Sequence, residues 1–382
     1  MRTTTTTGRW TVGMAVCAAL LVAGCGSSTA STGSASASGG VAAAQREITQ
    51  YSGVPSFVAP GRPFDARRAV AGRTLESIPA SSSIPFVQSL QDGVKALAPQ
   101  VGLRFLDWPN QGQPVQWVQG MNAGASRKVN AINLMAGIDP NAIAPQVRQA
   151  EAAHIPVIAS HLYDVNDTPA VGVDTASVHY EQAGRLLADW VVARTNGKAD
   201  ALVVRIDEVN STASMVNGIS SVFQQDCGSG CKVQTINVGI ADVASRIQPE
   251  VQAALTKDPS IDYVIALYDS AEAPFVVSAI KASGRSSSVH VVTYNGTPSV
   301  LRLVRSGDVE MDIGENLEWI SYGILDQAMR LMGGLPPVRD PRLPLRVFDR
   351  SNIDEAGNPP QDDLGFGDAY KQGYLKLWGL AG

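Results

Sequence analysis

An alternation of short apolar segments and amphipathic segments runs from residue 73 to residue 348, and it constrains the fold more than any other feature of the sequence. Repeated strand-then-helix units predict parallel sheets that carry helices on both faces. The pattern restarts near residue 201, so it predicts two sheets rather than one. The length of 382 residues agrees, because it exceeds what one ordinary core organises. The predicted fold class is α/β, with two similar doubly wound parallel-sheet lobes.

The clearest unit of this pattern lies at residues 289–307. It begins with a β-branched run that is typical of a buried strand. A helix then begins at Thr297, a good N-cap residue, and ends at Gly307, a good C-cap residue. The turn between them carries Tyr294 and Asn295. Because open α/β sheets bind ligands at the carboxyl ends of their strands, both residues are candidates for a binding site.

Several short segments carry a resemblance to a known family. They are Ile84-Pro85-Phe86, Gly137-Ile138-Asp139-Pro140, Val173-Asp174, Glu181-Gln182-Ala183-Gly184-Arg185-Leu186, Asp262-Tyr263-Val264 and Tyr294-Asn295-Gly296-Thr297-Pro298. Together they resemble the ribose/galactose-type, or type I, periplasmic solute-binding proteins of sugar ABC importers. The resemblance covers roughly residues 73–348. It is specific for the superfamily and weak for the ligand.

The resemblance implies a chain that crosses three times between its lobes at a hinge. Residues 73–174 plus 316–344 would form an N-lobe, and residues 175–315 plus 345–382 a C-lobe. A small ligand would bind in the cleft between them, without a cofactor or a metal. The implied partners are an ABC permease and its ATPase, and we expect a monomer that binds no nucleic acid. An alternative role is a sensor that passes a ligand signal to a membrane receptor, and an exported enzyme is a weaker alternative.

The first 72 residues predict export and anchoring. Residues 1–24 have the charged start and short apolar run of a signal peptide, and Cys25 ends a sequence that resembles a bacterial lipobox. An ordinary signal peptide that happens to contain a cysteine is the alternative. Residues 26–40 read as a flexible tether, and residues 41–72 as a short helix near residues 43–51 followed by irregular chain. The predicted location is the outer face of the bacterial cytoplasmic membrane, through a lipid on Cys25.

Composition and motifs argue against other function classes. The net charge of −5 gives no basic surface for nucleic acid. The four histidines show no metal-ligand spacing, and the four cysteines include no Cys-x-x-C pair. No phosphate-binding glycine loop or nucleophile elbow occurs, so we expect no enzyme activity. Cys227 and Cys231 are separated by a flexible spacer in an exported chain, which predicts a disulfide; a redox-active pair is the alternative.

Four candidate ligand-binding residues belong to the predicted N-lobe. They are Ser83, Phe86, Ser160 and His161. In the resembled family, the loop at Phe86 stacks aromatic rings on the sugar, and the place of Ser160 and His161 often holds a charged Asp-Arg pair. Phe86 is alternatively a core residue of its own helix. A lone histidine such as His161 is alternatively a residue whose hydrogen bonds are met within the protein.

Six further candidates belong to the predicted C-lobe. They are Asn210, Tyr268, Asp269, Tyr294, Asn295 and Glu315. Asn295 stands where the family has an aspartate that holds sugar hydroxyls, and Glu315 stands where it has a hydroxyl-binding glutamine. Tyr268 replaces an amide with a phenol, which both stacks and hydrogen-bonds. Asn210 and Asp269 are alternatively helix caps, and Glu315 a solvated hinge residue.

These departures from the family remove charge from the predicted cleft. Asn295 replaces the family's aspartate, and Ser160 and His161 replace its Asp-Arg pair. The arginine expected within residues 213–215 is missing. An anionic ligand would need an arginine or lysine there. The sequence therefore predicts a neutral ligand, namely a sugar, a polyol or a hydroxylated ring compound, and not a standard aldopentose or aldohexose as the best one.

Overall fold

The computed structural model describes residues 32–381 of the chain. The predicted signal peptide, the lipid attachment site at Cys25 and the first part of the predicted tether lie outside the described residues. Within residues 32–381, no helix has an apolar stretch long enough to cross a bilayer. The same residues contain no cluster of His, Cys, Asp and Glu suited to hold a metal ion.

The first sheet has five parallel strands in the order β2-β1-β3-β4-β5. The strands are β1 (Thr74–Pro79), β2 (Arg104–Asp107), β3 (Ala131–Met135), β4 (Val157–Asp164) and β5 (Val173–Val178). Helices α3 (Pro85–Leu97), α4 (Pro114–Arg127) and α5 (Ala144–Ala152) connect them. β1 and β3 are buried along their whole length, as parallel strands covered on both faces must be.

The second sheet has six strands in the order β11-β10-β9-β8-β6-β7. The strands are β6 (Asp200–Arg205), β7 (Lys232–Asn237), β8 (Tyr263–Ala266), β9 (His290–Asn295), β10 (Met311–Glu315) and β11 (Leu345–Asp349). Five of them are parallel, and only β11 runs antiparallel, beside β10. The helices of this part are α6 (Tyr180–Thr195), α7 (Ser211–Val222), α8 (Val243–Lys257), α9 (Asp269–Ala282) and α10 (Pro298–Ser306).

The chain passes between the two sheets at three places. It leaves the first sheet after β5, returns between β10 and α11 (Leu317–Met332), and leaves again before β11. Helix α11 packs on α3, so it belongs with the first sheet. We call the first sheet with its helices the first lobe, and the second sheet with its helices the second lobe. The predicted fold class of two parallel-sheet lobes is confirmed, and the lobe boundaries stay a proposal.

The N-terminal extension is more ordered than the sequence predicts. Helix α1 (Thr32–Ser52) occupies the second part of the expected flexible tether and exceeds the short helix expected at residues 43–51. It packs on α6, with Ala44 and Ile48 buried. Packing of an apolar face onto a neighbour stabilises a helix that Gly, Ser and Thr would not form alone. A further helix, α2 (Ala66–Val70), lies against α11.

The C-terminal helix α12 (Ala369–Leu377) packs on α11, which belongs to the first lobe. The prediction assigned residues 345–382 to the C-lobe, whereas this helix contacts the first lobe. Aromatic stacking explains its place, because Tyr322 of α11 stacks on Trp378 with ring centroids 5.4 Å apart. The Trp378 indole also donates to Asp326 of α11 at 2.8 Å. An indole that buries its rings and still finds an acceptor is a strong anchor.

Cys227 ends a π-helical turn that follows α7, and Cys231 follows a 3-10 turn of three residues. Their Cα atoms are 5.5 Å apart, within the range that a disulfide bridges, and the structure joins their sulfurs. The pair closes a short loop beside α1, which contacts the same turn. The disulfide in the exported protein stays a prediction.

Candidate ligand-binding site

A cleft of about 800 Å³ opens between the carboxyl ends of the two sheets. Its first-lobe wall includes Ser83, Phe86, Trp117, Asp139 and His161, and its second-lobe wall includes Tyr180, Glu208, Asn210, Ser211, Tyr268, Tyr294 and Asn295. The volume falls in the range of pockets that enclose small organic ligands. Seven of the predicted ligand-binding residues line it, namely Ser83, Phe86, His161, Asn210, Tyr268, Tyr294 and Asn295.

A buried hydrogen-bond network joins the lobes at the floor of the cleft. His161, in β4 of the first lobe, places its Nε2 atom 3.0 Å from Glu315 Oε2 at the end of β10. The Tyr180 hydroxyl lies 2.9 Å from His161 Nδ1, and the Asn295 amide donates to the same Glu315 oxygen at 3.3 Å. His161 and Asn295 therefore meet at one carboxylate that is almost wholly buried, and Tyr180 is linked to it through His161.

Glu315 lies behind the cleft wall rather than on it, contrary to its prediction as a ligand contact and to its alternative as a solvated hinge residue. Its Oε1 atom is buried without a hydrogen-bond partner among the described residues. Burial raises the pKa of Tyr180 and of Tyr294, and the charge of Glu315 raises both further. Both phenols therefore stay protonated at physiological pH.

A β-bulge aims His161 at the cleft. The pairing of β4 with β5 shifts register after Ser160, and His161 adopts a left-handed φ of +51°. Ser160 points the other way, is fully buried, and donates weakly to Leu134 O at 3.4 Å. Its prediction as a ligand contact was therefore wrong, because neighbouring residues of a strand face opposite sides. The imidazole of His161 packs against Phe86, with ring centroids 4.9 Å apart.

Asn295, the last residue of β9, adopts an uncommon conformation, with φ of +137°. Buried carboxylates fix the next two residues, because Thr297 N donates to Asp269 at 2.6 Å and Gly296 N donates to Asp312 at 3.3 Å. Burial raises the pKa of both carboxyls. Asp269 is thus buried beneath the turn and does not line the cleft. It is the first residue of α9, after Tyr268 at the N-cap position, so its alternative role as the cap of that helix is wrong.

The second-lobe wall ends in hydroxyl groups at the start of α7. The Tyr268 hydroxyl lies 2.9 Å from Ser211 Oγ and 2.8 Å from Thr212 Oγ1. Burial raises the pKa of Tyr268 to about 12, so this phenol is neutral at physiological pH. Asn210 precedes α7 but makes no capping hydrogen bond with its side chain, which leaves its exposed amide free to face the cleft. Ser83 is exposed on the opposite wall, hydrogen-bonded to Ser81.

Sequence reasoning missed two aromatic residues of the wall, Tyr180 and Trp117. Tyr180 is the first residue of α6, directly after the chain leaves the first sheet, and that crossing point was the available signal. Trp117 lies in the first turn of α4 and donates from its indole to Ala80 O at 2.9 Å. The sequence feature that could have indicated it is a tryptophan in the first turn of a helix that begins at Pro114, after β2.

The described walls of the cleft carry no positive side chain. No lysine or arginine is among the described residues that line it. Its walls also include two carboxylates, each of which accepts one backbone hydrogen bond: Asp139 accepts from Asn141 N at 2.9 Å, and Glu208 accepts from Ile240 N at 2.9 Å. Amide, hydroxyl and phenol groups are the neutral polar groups that face the cleft.

Comparison with known proteins follows the same lines. Residues 77–336 match the family model described as a periplasmic binding protein domain. The ribose import binding protein of Escherichia coli is 25% identical over 268 residues, which cover 70% of this chain and 87% of that protein. A crystal structure of a 5-methylthioribose transporter solute-binding protein from Thermotoga lettingae superposes with a TM-score of 0.66 at 16% identity, covering 84% of this chain and 95% of that one.

A solute-binding protein of an ABC transporter from Agrobacterium vitis with bound allitol gives a TM-score of 0.65 at 18% identity. It covers 75% of this chain and 98% of its own, so this chain carries segments beyond the shared fold. The family model spans most of both lobes and includes the cleft. The chain belongs to the periplasmic binding protein family.

Proposed function

We propose that this protein captures a small neutral polar ligand in its interlobe cleft and delivers it to an ABC permease and its ATPase. The cleft carries the proposal, because it lies at the carboxyl ends of both sheets and offers neutral hydrogen-bonding groups without a lysine or arginine. The relatives named above import ribose or bind sugars and polyols. Three chain crossings between the lobes supply a hinge about which they close.

The class of ligand follows from the groups on the wall. A carboxylate or phosphate ligand needs a positive partner, and the buried Glu315 beside the floor would repel it further. Hydroxyl groups suit Asn295, Tyr268 and Ser211, through neutral hydrogen bonds of about 0.5–1.5 kcal/mol each. A sugar, a polyol or a hydroxylated ring compound fits best.

A thermal-shift library tests this function. Bound ligand stabilises the folded state by about 2.7 kcal/mol at a hundredfold excess over Kd, so neutral polyols and sugars should raise Tm. Asn295→Gly, which suits the positive φ, and Tyr268→Phe should each weaken the best hit about three- to tenfold. Asn122→Ala, on the exposed face of α4, is the matched control and should not. A strong shift with organic acids or sugar phosphates, and none with neutral compounds, would overturn the proposal.

We also propose that a lipid on Cys25 anchors the protein to the outer face of the cytoplasmic membrane. The motif at the end of the apolar run supports it. The substitution Cys25→Ser should move the protein from the membrane fraction to the soluble fraction, because one buried acyl chain or more holds it there. Cys17→Ser, inside the apolar run, is the control. Membrane fractionation of the Cys25→Ser protein that matches the wild type would refute the anchor.

A further inference from the structure

The turn that follows β9 is held from both neighbouring strands of the second sheet. β9 lies between β8 and β10, and the turn begins directly after Asn295. On one side Asp269, which begins α9 after β8, accepts a hydrogen bond from Thr297 N at 2.6 Å. On the other side Asp312 of β10 accepts from Gly296 N at 3.3 Å. Two carboxyl groups therefore bind consecutive N–H groups of one turn.

These two carboxyl groups are close together and buried. Consecutive Cα atoms are about 3.8 Å apart, so acceptors on the N–H groups of Gly296 and Thr297 lie within a few ångströms of each other. Asp269 and Asp312 each expose 0% of their surface, and Asp312 Oδ2 has no partner among the described residues. Two adjacent carboxylates in such a site repel each other, and a proton held between them removes the repulsion.

The donors around the pair place its negative charge on Asp269. This carboxylate accepts from Thr297 N and from Ser270 N, whereas one oxygen of Asp312 has no donor. Burial raises the pKa of both carboxyls, and the charge of Asp269 raises that of Asp312 further. Asp312 therefore holds the proton, which supplies a donor for Asp269.

The surrounding elements give the pair no positive partner. The donors of Asp269 and Asp312 are backbone N–H groups, and no described residue forms a salt bridge with either. The charged or titratable groups on the adjoining elements are Glu272 of α9, Tyr294 of β9, Glu315 of β10 and Arg346 of β11. Arg346 donates to Glu355 and to two backbone carbonyls instead. Burial raises the pKa of Glu272 also, so it adds no cation to the site.

The held turn sets the direction in which Asn295 faces the cleft. Asn295 has φ of +137°, which is uncommon outside glycine. Gly296 follows with φ of +71°, and an added Cβ there would lie 2.5 Å from Gly314 Cα. Such costly backbone persists only where surrounding contacts fix it. The hydrogen bonds to Asp269 and Asp312 are contacts of this kind.

We propose that Asp269 and Asp312 are positioning residues of the ligand site, which share one proton and hold the turn that presents Asn295 to the cleft. The shared proton and the held turn are properties of the protein alone. The step from the turn to ligand affinity rests on the proposed function. Asparagine at position 312 imitates the protonated acid, because its amide both donates and accepts, whereas alanine at position 269 removes the acceptor.

The pH dependence of unfolding tests the shared proton without a ligand. Urea unfolding of the wild type is compared with that of Asp312→Asn between pH 5 and pH 8, where an aspartate of the unfolded chain is ionised. A folded state that keeps the proton loses stability as the pH rises, so the unfolding constant of the wild type relative to the variant should rise about tenfold per pH unit. Asp308→Asn is the control, because the pKa of Asp308 is lowered and its ratio should stay constant.

Hydrogen exchange in the peptide that covers residues 294–300 reports on the turn itself. Asp269→Ala removes a charged acceptor of Thr297 N, so exchange there should be about tenfold faster. Asp312→Asn should stay within about twofold of the wild type, because its amide keeps the hydrogen bonds. Asp189→Asn is the matched control, since Asp189 is also a buried carboxyl but makes no hydrogen bond to the turn. If Asp269→Ala does not fold, the pH series with Asp312→Asn decides the question.

Binding is measured by calorimetry with ribose, allitol and 5-methylthioribose as probes. The Kd of each probe that binds the wild type should rise about tenfold in Asp269→Ala and stay within about threefold in Asp312→Asn and Asp189→Asn.

A ratio of unfolding constants that does not change with pH, or equal exchange in Asp269→Ala and the wild type, overturns the inference whatever the ligand. Faster exchange with unchanged affinity overturns the positioning role and leaves capture of a neutral ligand standing. If the pH and exchange results hold but the wild type responds only to organic acids, the proposed function fails and the shared proton stands.

Discussion

Replacing His161 by alanine should lower the free energy of unfolding by about 3 kcal/mol, because it removes the partner of a buried carboxylate. His161 Nε2 lies 3.0 Å from Glu315 Oε2, and the two side chains expose 8% and 1% of their surface. The remaining donor, the Asn295 amide at 3.3 Å, reaches only the same oxygen. Urea unfolding at pH 7 measures the loss. His161→Gln, which retains a donor, should recover part of it.

The control is a second histidine–glutamate pair. His290 Nδ1 lies 2.9 Å from Glu310, but these side chains expose 46% and 24% of their surface. Exposed pairs contribute about 0–1 kcal/mol, so His290→Ala should cost far less. Equal losses in the two variants would show that the interlobe network does not stabilise the fold in this way. Because His161 lines the cleft, its alanine variant should also lose most of the thermal shift with the best neutral compound.

The substitution Asp189→Asn should stabilise the protein by about 2 kcal/mol at pH 8 and by much less at pH 4. Asp189 lies in α6, exposes 2% of its surface, and leaves Oδ2 without a partner among the described residues. Burial raises the pKa of Asp189 from 3.8 to about 7; the charge of Arg185 lowers it, and those of Glu47 and Asp226 raise it. Full conversion of that shift gives about 4 kcal/mol, which we halve for solvent relaxation in a folded protein.

The sign follows from proton linkage. A carboxyl whose pKa is raised by folding is neutral in both states below pH 3.8, and its favourable contribution is lost as the pH rises through about 7. The asparagine variant has no such loss. Asp308 shows the opposite shift, because the hydrogen bond from Lys281 lowers its pKa. Asp308→Asn should therefore lower the free energy of unfolding at pH 8. If Asp189→Asn changed the stability equally at pH 4 and at pH 8, the claim that burial in α6 raises the pKa of Asp189 would be contradicted.

The alternating pattern predicted both sheets because strand and helix periods are local signals. The unit at residues 289–307 shows this, since α10 lies between the predicted caps, and β9 follows the β-branched run and extends through Tyr294 and Asn295, which were predicted as the turn. The long N-terminal helix α1 was not predicted, because a tertiary contact and not a local pattern stabilises it. Helix α1 depends on the contact of Ala44 and Ile48 with α6, which no local pattern reveals. Antiparallel β11 likewise depends on how the chain returns to the second sheet.

The site was predictable at the level of strand ends and not at the level of side-chain direction. Tyr294 and Asn295 line the cleft as expected, whereas Ser160 and Asp269 are buried behind it. A shift of one residue reverses the face that a strand presents, and the bulge that turns His161 outward leaves no trace in the sequence. Burial of Glu315 depends on the first lobe covering it, which is a tertiary contact.

Closure of the two lobes on a neutral ligand is the central claim, and small-angle X-ray scattering tests it most directly. The protein would be measured alone and with a saturating amount of the neutral compound that gives the largest thermal shift. The account predicts a smaller radius of gyration in the second sample, because the lobes turn about the three crossings to enclose the ligand. An unchanged scattering profile at saturation, with binding shown by calorimetry in the same sample, would contradict it.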